Sequence, residues 1–331
     1  MQETTVENPF GLGALIAQGD LVARSTLVIL LIMSLLTWFI MITKFFDQRR
    51  LRKQAIEAES AREADALGFM ARVLVQATLP HSAQAGNEFT RSNGHLTVSI
   101  LAPSEIGLPY GSYPRLLLTW LTTEAVRTKS RELVLGPSLS AFMAELGLLA
   151  TGGRWGTVPR LKDQMLRLFS SMISATVELG APEGPKGRRG RNVVVADDYT
   201  LWWDPQRPSQ AALWQSTVKL SEPFFQQVVD RPVPIDMRAI KALKKSPLAL
   251  DLYSWATYRV SYLARPTDIP WGGLMLQFGA GYPDTAQGRR DFRKHFLAAL
   301  RKVVAVYPAL RAQDGERGLL LRPSPPHVAR L

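Results

Sequence analysis

Hydrophobic positions change rhythm several times along the chain. Ser25 to Thr43 is uncharged, and its apolar residues cover every face of a helix. Its length is close to the roughly 20 residues that a bilayer core requires, which predicts a transmembrane helix over about 25–43. A buried soluble helix is the competing reading. Arg49 to about Thr78 is rich in Ala, Glu, Arg and Leu, with Leu67, Met70, Leu74 and Val75 at helical spacing, and predicts a helix. Pro80 to Pro103 is a polar connector with one strand-like run, Leu96–Ile100.

Organisation tightens after residue 105. Tyr113–Arg127 predicts a helix with Pro114 in its first turn and Leu117, Leu118, Leu121 and Val126 on a core face. Glu132–Leu135 predicts a short strand. Ser138–Leu146 predicts a second helix capped by Ser138. After a turn over Gly147–Gly153 comes a third helix, Trp155–Phe169, with Thr157 as its N-cap. Ile173–Leu179 alternates as a strand, and Arg191–Val195 begins a return strand. Helix, strand, helix, turn, helix, hairpin is the order of a winged helix, whose last helix enters the major groove while the hairpin forms a wing.

The order recurs. Asp236–Lys245 is a short basic helix, Ser246–Tyr262 a long one with Pro247 at its start, and Ile269–Phe278 a short helix before a turn at Gly279–Gly281. Arg289–Val306 is the next helix, stopped by Pro308. Arg311–Arg322 predicts a hairpin turning at Asp314-Gly315. The expected fold is therefore α+β: two winged-helix domains in tandem behind a single N-terminal transmembrane helix. The boundaries are an N-terminal segment 1–47, a helical lead and connector 48–105, a first winged-helix domain 106–232 and a second 233–331.

Charge sharpens this picture. The chain carries a formal net charge of +12, which favours a polyanionic partner. Residues 1–48 hold only Arg24 and Lys44 against Glu3, Glu7, Asp20 and Asp47, so the basicity belongs wholly to residues 49–331. Cations after the apolar run (Lys44, Arg49, Arg50, Arg52, Lys53) predict an outward N-terminus with residues 48–331 cytoplasmic.

The candidate DNA contacts are set by position. Arg154, Arg160, Lys162 and Arg167 mark the turn and third helix of the first module. Lys186, Arg188, Arg189 and Arg191 crowd a Gly-rich wing. Lys241, Lys244 and Lys245 form an upstream patch. Arg289, Arg290, Arg293 and Lys294 share one face of the last helix, with Arg301 and Lys302 extending it and Arg317 on the second hairpin. An arginine fork pairs with guanine edges, and basic wings lie against phosphates. A solvated charged face is the ordinary alternative for any one cluster.

Catalytic signals are weak. The chain has no cysteine, no P-loop and no G-x-S-x-G. Its four histidines lack ligand spacing. Asp197-Asp198 alone is too little for a metal-dependent nuclease. The expectation is a non-enzyme with no cofactor, no metal and no catalytic residue.

The chain carries two resemblances. Asn8–Thr26, the apolar run and Ile42–Asp47 resemble the start of an ExbB/TolQ/MotA-type proton-channel subunit over about residues 1–47, without the later spans that carry channel chemistry. From Gln48 onward the chain resembles the plasmid RepA replication initiators. Tyr110–Val126, Phe142–Leu148, Gly152–Gly156 and Ser246–Arg259 carry that likeness. It implies binding to plasmid origin DNA and recruitment of the host helicase and chromosomal initiator. Self-association is a further expectation, and the N-terminal run adds an inner-membrane anchor. The alternatives are a membrane-tethered winged-helix transcriptional regulator or an ExbB-like transport component.

Overall fold

The computed structural model describes residues 29–44, 67–71, 78–92, 96–179, 187–202, 215–230, 232–279 and 281–328, with residues 25, 75, 207 and 209. The chain divides into two compact units, Met1–Lys53 and Gln54–Leu331. In the first, residues 29–44 are helical with exposed side chains. The expected membrane span over 25–43, of which residues 26–28 lie outside the described residues, gains no support here. No helix among the described residues is long and apolar enough to cross a membrane.

The second unit is built around two helices buried on most sides. Helix α1 (Ser112–Thr128) buries Pro114–Thr122 almost continuously, and α6 (Pro247–Val260) buries Ala249–Thr257. The sequence pattern predicts a one-sided apolar face for α1. The structure surrounds it instead with β1 (Leu67–Met70), α3 (Thr157–Phe169), α4 (Glu222–Asp230) and α6. The buried Thr119 Oγ1 bonds backward along the helix, donating to Arg115 O at 2.8 Å, whereas the equally buried Thr122 Oγ1 has no partner among the described residues. Lys129, at φ 55°, ends the helix by donating its N–H to Ala125 O.

Strand β1 corrects the predicted helix over 49–78 at Leu67–Met70, while Val75 is helical as expected. Leu67–Met70 pairs antiparallel with β9 (Val233–Asp236). Helical spacing of apolar residues is ambiguous over so short a run, and a distant partner decided it. Residues 49–66, 72–74 and 76–77 lie outside the described residues.

The first half holds two sheets. One has the order β2-β3-β5-β6, from Glu88–Ser92, Leu96–Leu101, Met172–Leu179 and Gly187–Val194. The other runs β4-β8-β7, from Glu132–Val134, Thr217–Leu220 and Ala196–Thr200. The expected helix–strand–helix–helix–hairpin order is present, with α2 at Leu139–Glu145. However, β4 pairs with β8, and the β5–β6 hairpin is extended by β3 and β2 instead.

In the second half α5 (Met237–Leu243) and α6 precede β10 (Thr267–Pro270), α7 (Trp271–Phe278), α8 (Ala286–Val306), β11 (Ala312–Asp314) and β12 (Gly318–Leu321). Here the single strand does join the hairpin, in the order β10-β12-β11. The predicted helix at Ile269 is thus a strand end, and the helix begins at Trp271. The predicted turn holds, with Gly315 N donating to Gly318 O at 2.9 Å. Ser138, Asp236, Ser246 and Thr285 cap α2, α5, α6 and α8 with side-chain oxygens.

Candidate nucleic-acid interface

Helix α3 buries Val158, Leu161, Met165, Leu168 and Phe169 and turns Arg160 to solvent. Lys162 is half-buried; neither cation has an ion pair among the described residues. Arg167, expected on the same outer face, is drawn inward. It bonds Asp163 at 2.8 Å and Leu108 O at 3.3 Å, and its guanidinium lies 5.6 Å from the Tyr110 ring. The expected N-cap also differs: Gly156 occupies that position, and Thr157 is the first helical residue. The Thr157 hydroxyl donates instead to Leu149 O and accepts from Thr151 N, closing the preceding loop on itself.

On the β5–β6 hairpin, Arg188, Arg189 and Arg191 are all exposed. Pairing places Arg189 opposite Val177 and Arg191 opposite Ala175, on the face that carries buried Ile173 and Val193 nearer the core. Arg188 lies on the opposite face and approaches Glu178 at 3.4 Å. Cations therefore line both sides of the hairpin. Lys186 lies outside the described residues.

In the second half, Arg290 and Lys294 are exposed on α8, as are Arg301 and Lys302 farther along it. Arg289 is exposed and pairs with Asp284 at 2.8 Å. Arg293 is not part of an open face. It bonds Asp314 Oδ1 at 2.8 Å and Gly315 O at 3.2 Å, and stacks 5.1 Å from the Trp271 ring. Trp271 Nε1 also donates to Gly315 O, at 3.3 Å. Helices α7 and α8 thereby hold the hairpin turn, where Arg317 is exposed.

The upstream patch is divided in the same way. Lys245 is exposed, Lys244 Nζ donates to Gly147 O, and the Lys241 stem lies so close that a Cβ on Gly147 would meet its Cγ at 2.9 Å. These lysines clasp α5 to the turn after α2. Asp197, half of the acidic pair, is bonded by Arg131 at 2.8 Å, and Arg131 also reaches Glu222 at 2.9 Å. Among the described residues no group of three or more His, Asp or Glu could hold a metal ion.

A buried polar network escaped the sequence pattern. Arg115 Nε and Nη2 each donate to Asp251, at 2.7 Å, and its remaining donors reach Leu79 O, Pro80 O and Gly111 O. His81 Nε2 lies 2.7 Å from Asp251 Oδ2. Burial alone would raise the Asp251 pKa, but the Arg115 guanidinium and the His81 bond outweigh it and hold the carboxyl below its ordinary value. Burial lowers the His81 pKa despite the carboxylate beside it. Arg91, 3% exposed, points from β2 into the same region with Nε and Nη1 unpartnered among the described residues, and burial lowers its pKa to about 10.

The fold and surface define a mixed α+β protein of paired helices and arginine-bearing hairpins. Residues 108–270, just under half of the chain, match the family model described as "Plasmid encoded RepA protein". No curated protein matches the chain. Two solved structures are similar. A crystal structure of SeMet derivatives of domains 2 and 3 of RctB shares 11% identity at a TM-score of 0.48, covering 77% of this chain and 97% of that one. A second structure of RctB domains 2–3 shares 11% identity at 0.45, covering 75% and 94%. The family match lies outside residues 1–47, so the ExbB/TolQ-type resemblance gains no support from it.

Proposed function

We propose that this chain is a replication initiator of the plasmid RepA kind, which grips duplex origin DNA through two helix-and-hairpin modules of winged-helix type. The first module is α1 to β6 and the second α6 to β12. The observation that carries this reading is the exposed Arg188, Arg189 and Arg191 cluster on a hairpin that follows α3, inside the stretch matched by the RepA model. Arginines on a hairpin reach phosphates on either side, while Arg160 on α3 is free to meet base edges. Arg154, Arg290, Lys294, Lys245 and Arg317 extend the contact surface, and host replication proteins are the expected partners.

The test is selection of bound duplexes from a random-sequence library by the full chain, followed by a salt titration. Six to ten phosphate contacts predict a loss of roughly 10³–10⁵ in affinity between 50 and 200 mM salt. The selected site, placed beside the gene on a vector without its own origin, should sustain that vector. Equal binding of selected and random duplexes at every salt concentration overturns the reading. Binding without maintenance of the vector points instead to a transcriptional regulator.

A further inference from the structure

The loop between α2 and α3 has a feature that the charge pattern leaves unused. Trp155 is 76% exposed and Leu149 81%, the two most exposed large apolar side chains among the described residues. A loose loop would fold such a ring down to hide it from water. This loop is braced at its base. Thr151 N donates to Thr157 Oγ1 and Thr157 N to Thr151 Oγ1, both at 2.9 Å, and the two hydroxyls lie 3.0 Å apart. Val158 N closes the brace on Thr151 O at 3.2 Å. Glycines set the kink on either side of the tip. Gly153 has φ +79°, and a Cβ on Gly156 would lie 2.2 Å from Thr151 O. The product is a fixed projection carrying Arg154 and Trp155, with the guanidinium 5.3 Å from the indole centroid.

We infer that Trp155 is a DNA-contact residue whose indole packs on the apolar surface of deoxyribose and base edges, beside phosphates met by Arg154. This rests on the DNA-binding reading above and adds to it a contact that is apolar rather than ionic. Charge complementarity selects the occupant. The ring is flanked by Arg154 on its own loop and followed by exposed Arg160 on α3. Alternating cations and apolar surface match the alternation of phosphate with sugar and base in a duplex. The loop leads directly into α3, the helix assigned to the groove, so the tip reaches the groove's rim.

The experiment compares the full chain with its Trp155→Ala, Trp155→Phe and Arg154→Ala variants on a duplex selected by the unmodified protein. Trp155→Ala should weaken binding roughly ten- to hundredfold while leaving the slope of log affinity against log salt unchanged, because an apolar contact releases no counterions. Trp155→Phe should recover part of the loss, and thermal unfolding of both should match the unmodified protein. Arg154→Ala should make the slope shallower by about one unit. If the unmodified protein binds the duplex and Trp155→Ala binds equally well, this inference alone fails. It fails too if Trp155→Ala loses affinity through a shallower salt slope. If the unmodified protein binds no duplex, the DNA-binding reading falls and this one with it.

Discussion

Arg115 on α1 and Asp251 on α6 face each other through two parallel hydrogen bonds of 2.7 Å, Nε to Oδ1 and Nη2 to Oδ2. The guanidinium's other bonds go to backbone carbonyls, so neither charge is left bare in the core. Removing one partner strands the other. Arg115→Leu or Asp251→Leu should each destabilise the fold by about 3–5 kcal/mol, and the double variant should cost clearly less than their sum. Urea unfolding of the full chain measures this; additive losses would show that the pair is not coupled.

His81 gives the same junction a pH dependence. The ionised Asp251 can only accept, so the neutral ring donates through Nε2. Burial lowers the His81 pKa below its ordinary 6.5, so the unfolded chain takes up this proton more readily than the folded one. Stability from this group is therefore present above about pH 6.5 and declines as pH falls from there toward the lower folded value. Asp251, also lowered, adds a further loss only below its ordinary 3.8. Replacing His81 with Gln should flatten the first decline and leave the second, as read from unfolding midpoints between neutral and acid pH.

Arg91 is a buried cation whose Nε and Nη1 have no partner among the described residues, alongside Phe89 at 5.2 Å on the same strand face. Leaving such atoms unpaired costs about 1–3 kcal/mol. Arg91→Leu should therefore hold or raise stability in a urea titration. A loss of more than about 1 kcal/mol would mean that the guanidinium contributes more than its burial costs.

The two hairpins should respond differently to loss of arginine. Removing Arg189 and Arg191 together, both exposed, should make the salt slope of DNA binding shallower by about two units without changing stability. Arg293→Ala should instead release the β11–β12 turn, because Arg293 bonds Asp314 and Gly315 O. Faster amide exchange over Ala312–Leu321 is the expected signature, with little change in salt slope.

These contrasts explain what was legible in the sequence. Local chemistry announced the cap at Ser138, Pro247 at the start of its helix, the Asp314-Gly315 turn and the exposed arginines of β6, since each depends only on near neighbours. Leu67–Met70 was misleading because its partner, Val233–Asp236, is far along the chain. Strand β8 and helix α4 gave no periodic signal strong enough to read. Arg167, Arg293 and Lys244 looked like surface cations because a charge does not disclose its partner. Leu108 O, Gly315 O and Gly147 O became those partners only through tertiary folding. The exposed tip at Trp155 was hidden for the opposite reason: an aromatic residue ordinarily predicts core.

The clasp of Lys241 and Lys244 on Gly147 has a geometric consequence. On the proposed two-module reading, it joins the first module to the second together with the α1–α6 pairing and would hold the angle between them. Successive groove faces of a duplex repeat about every 10–10.5 base pairs. A protein locked at one angle can engage two half-sites only when they lie in matching phase, so half a helical turn inserted between them would turn one away from the protein, whereas a whole turn would restore their phase.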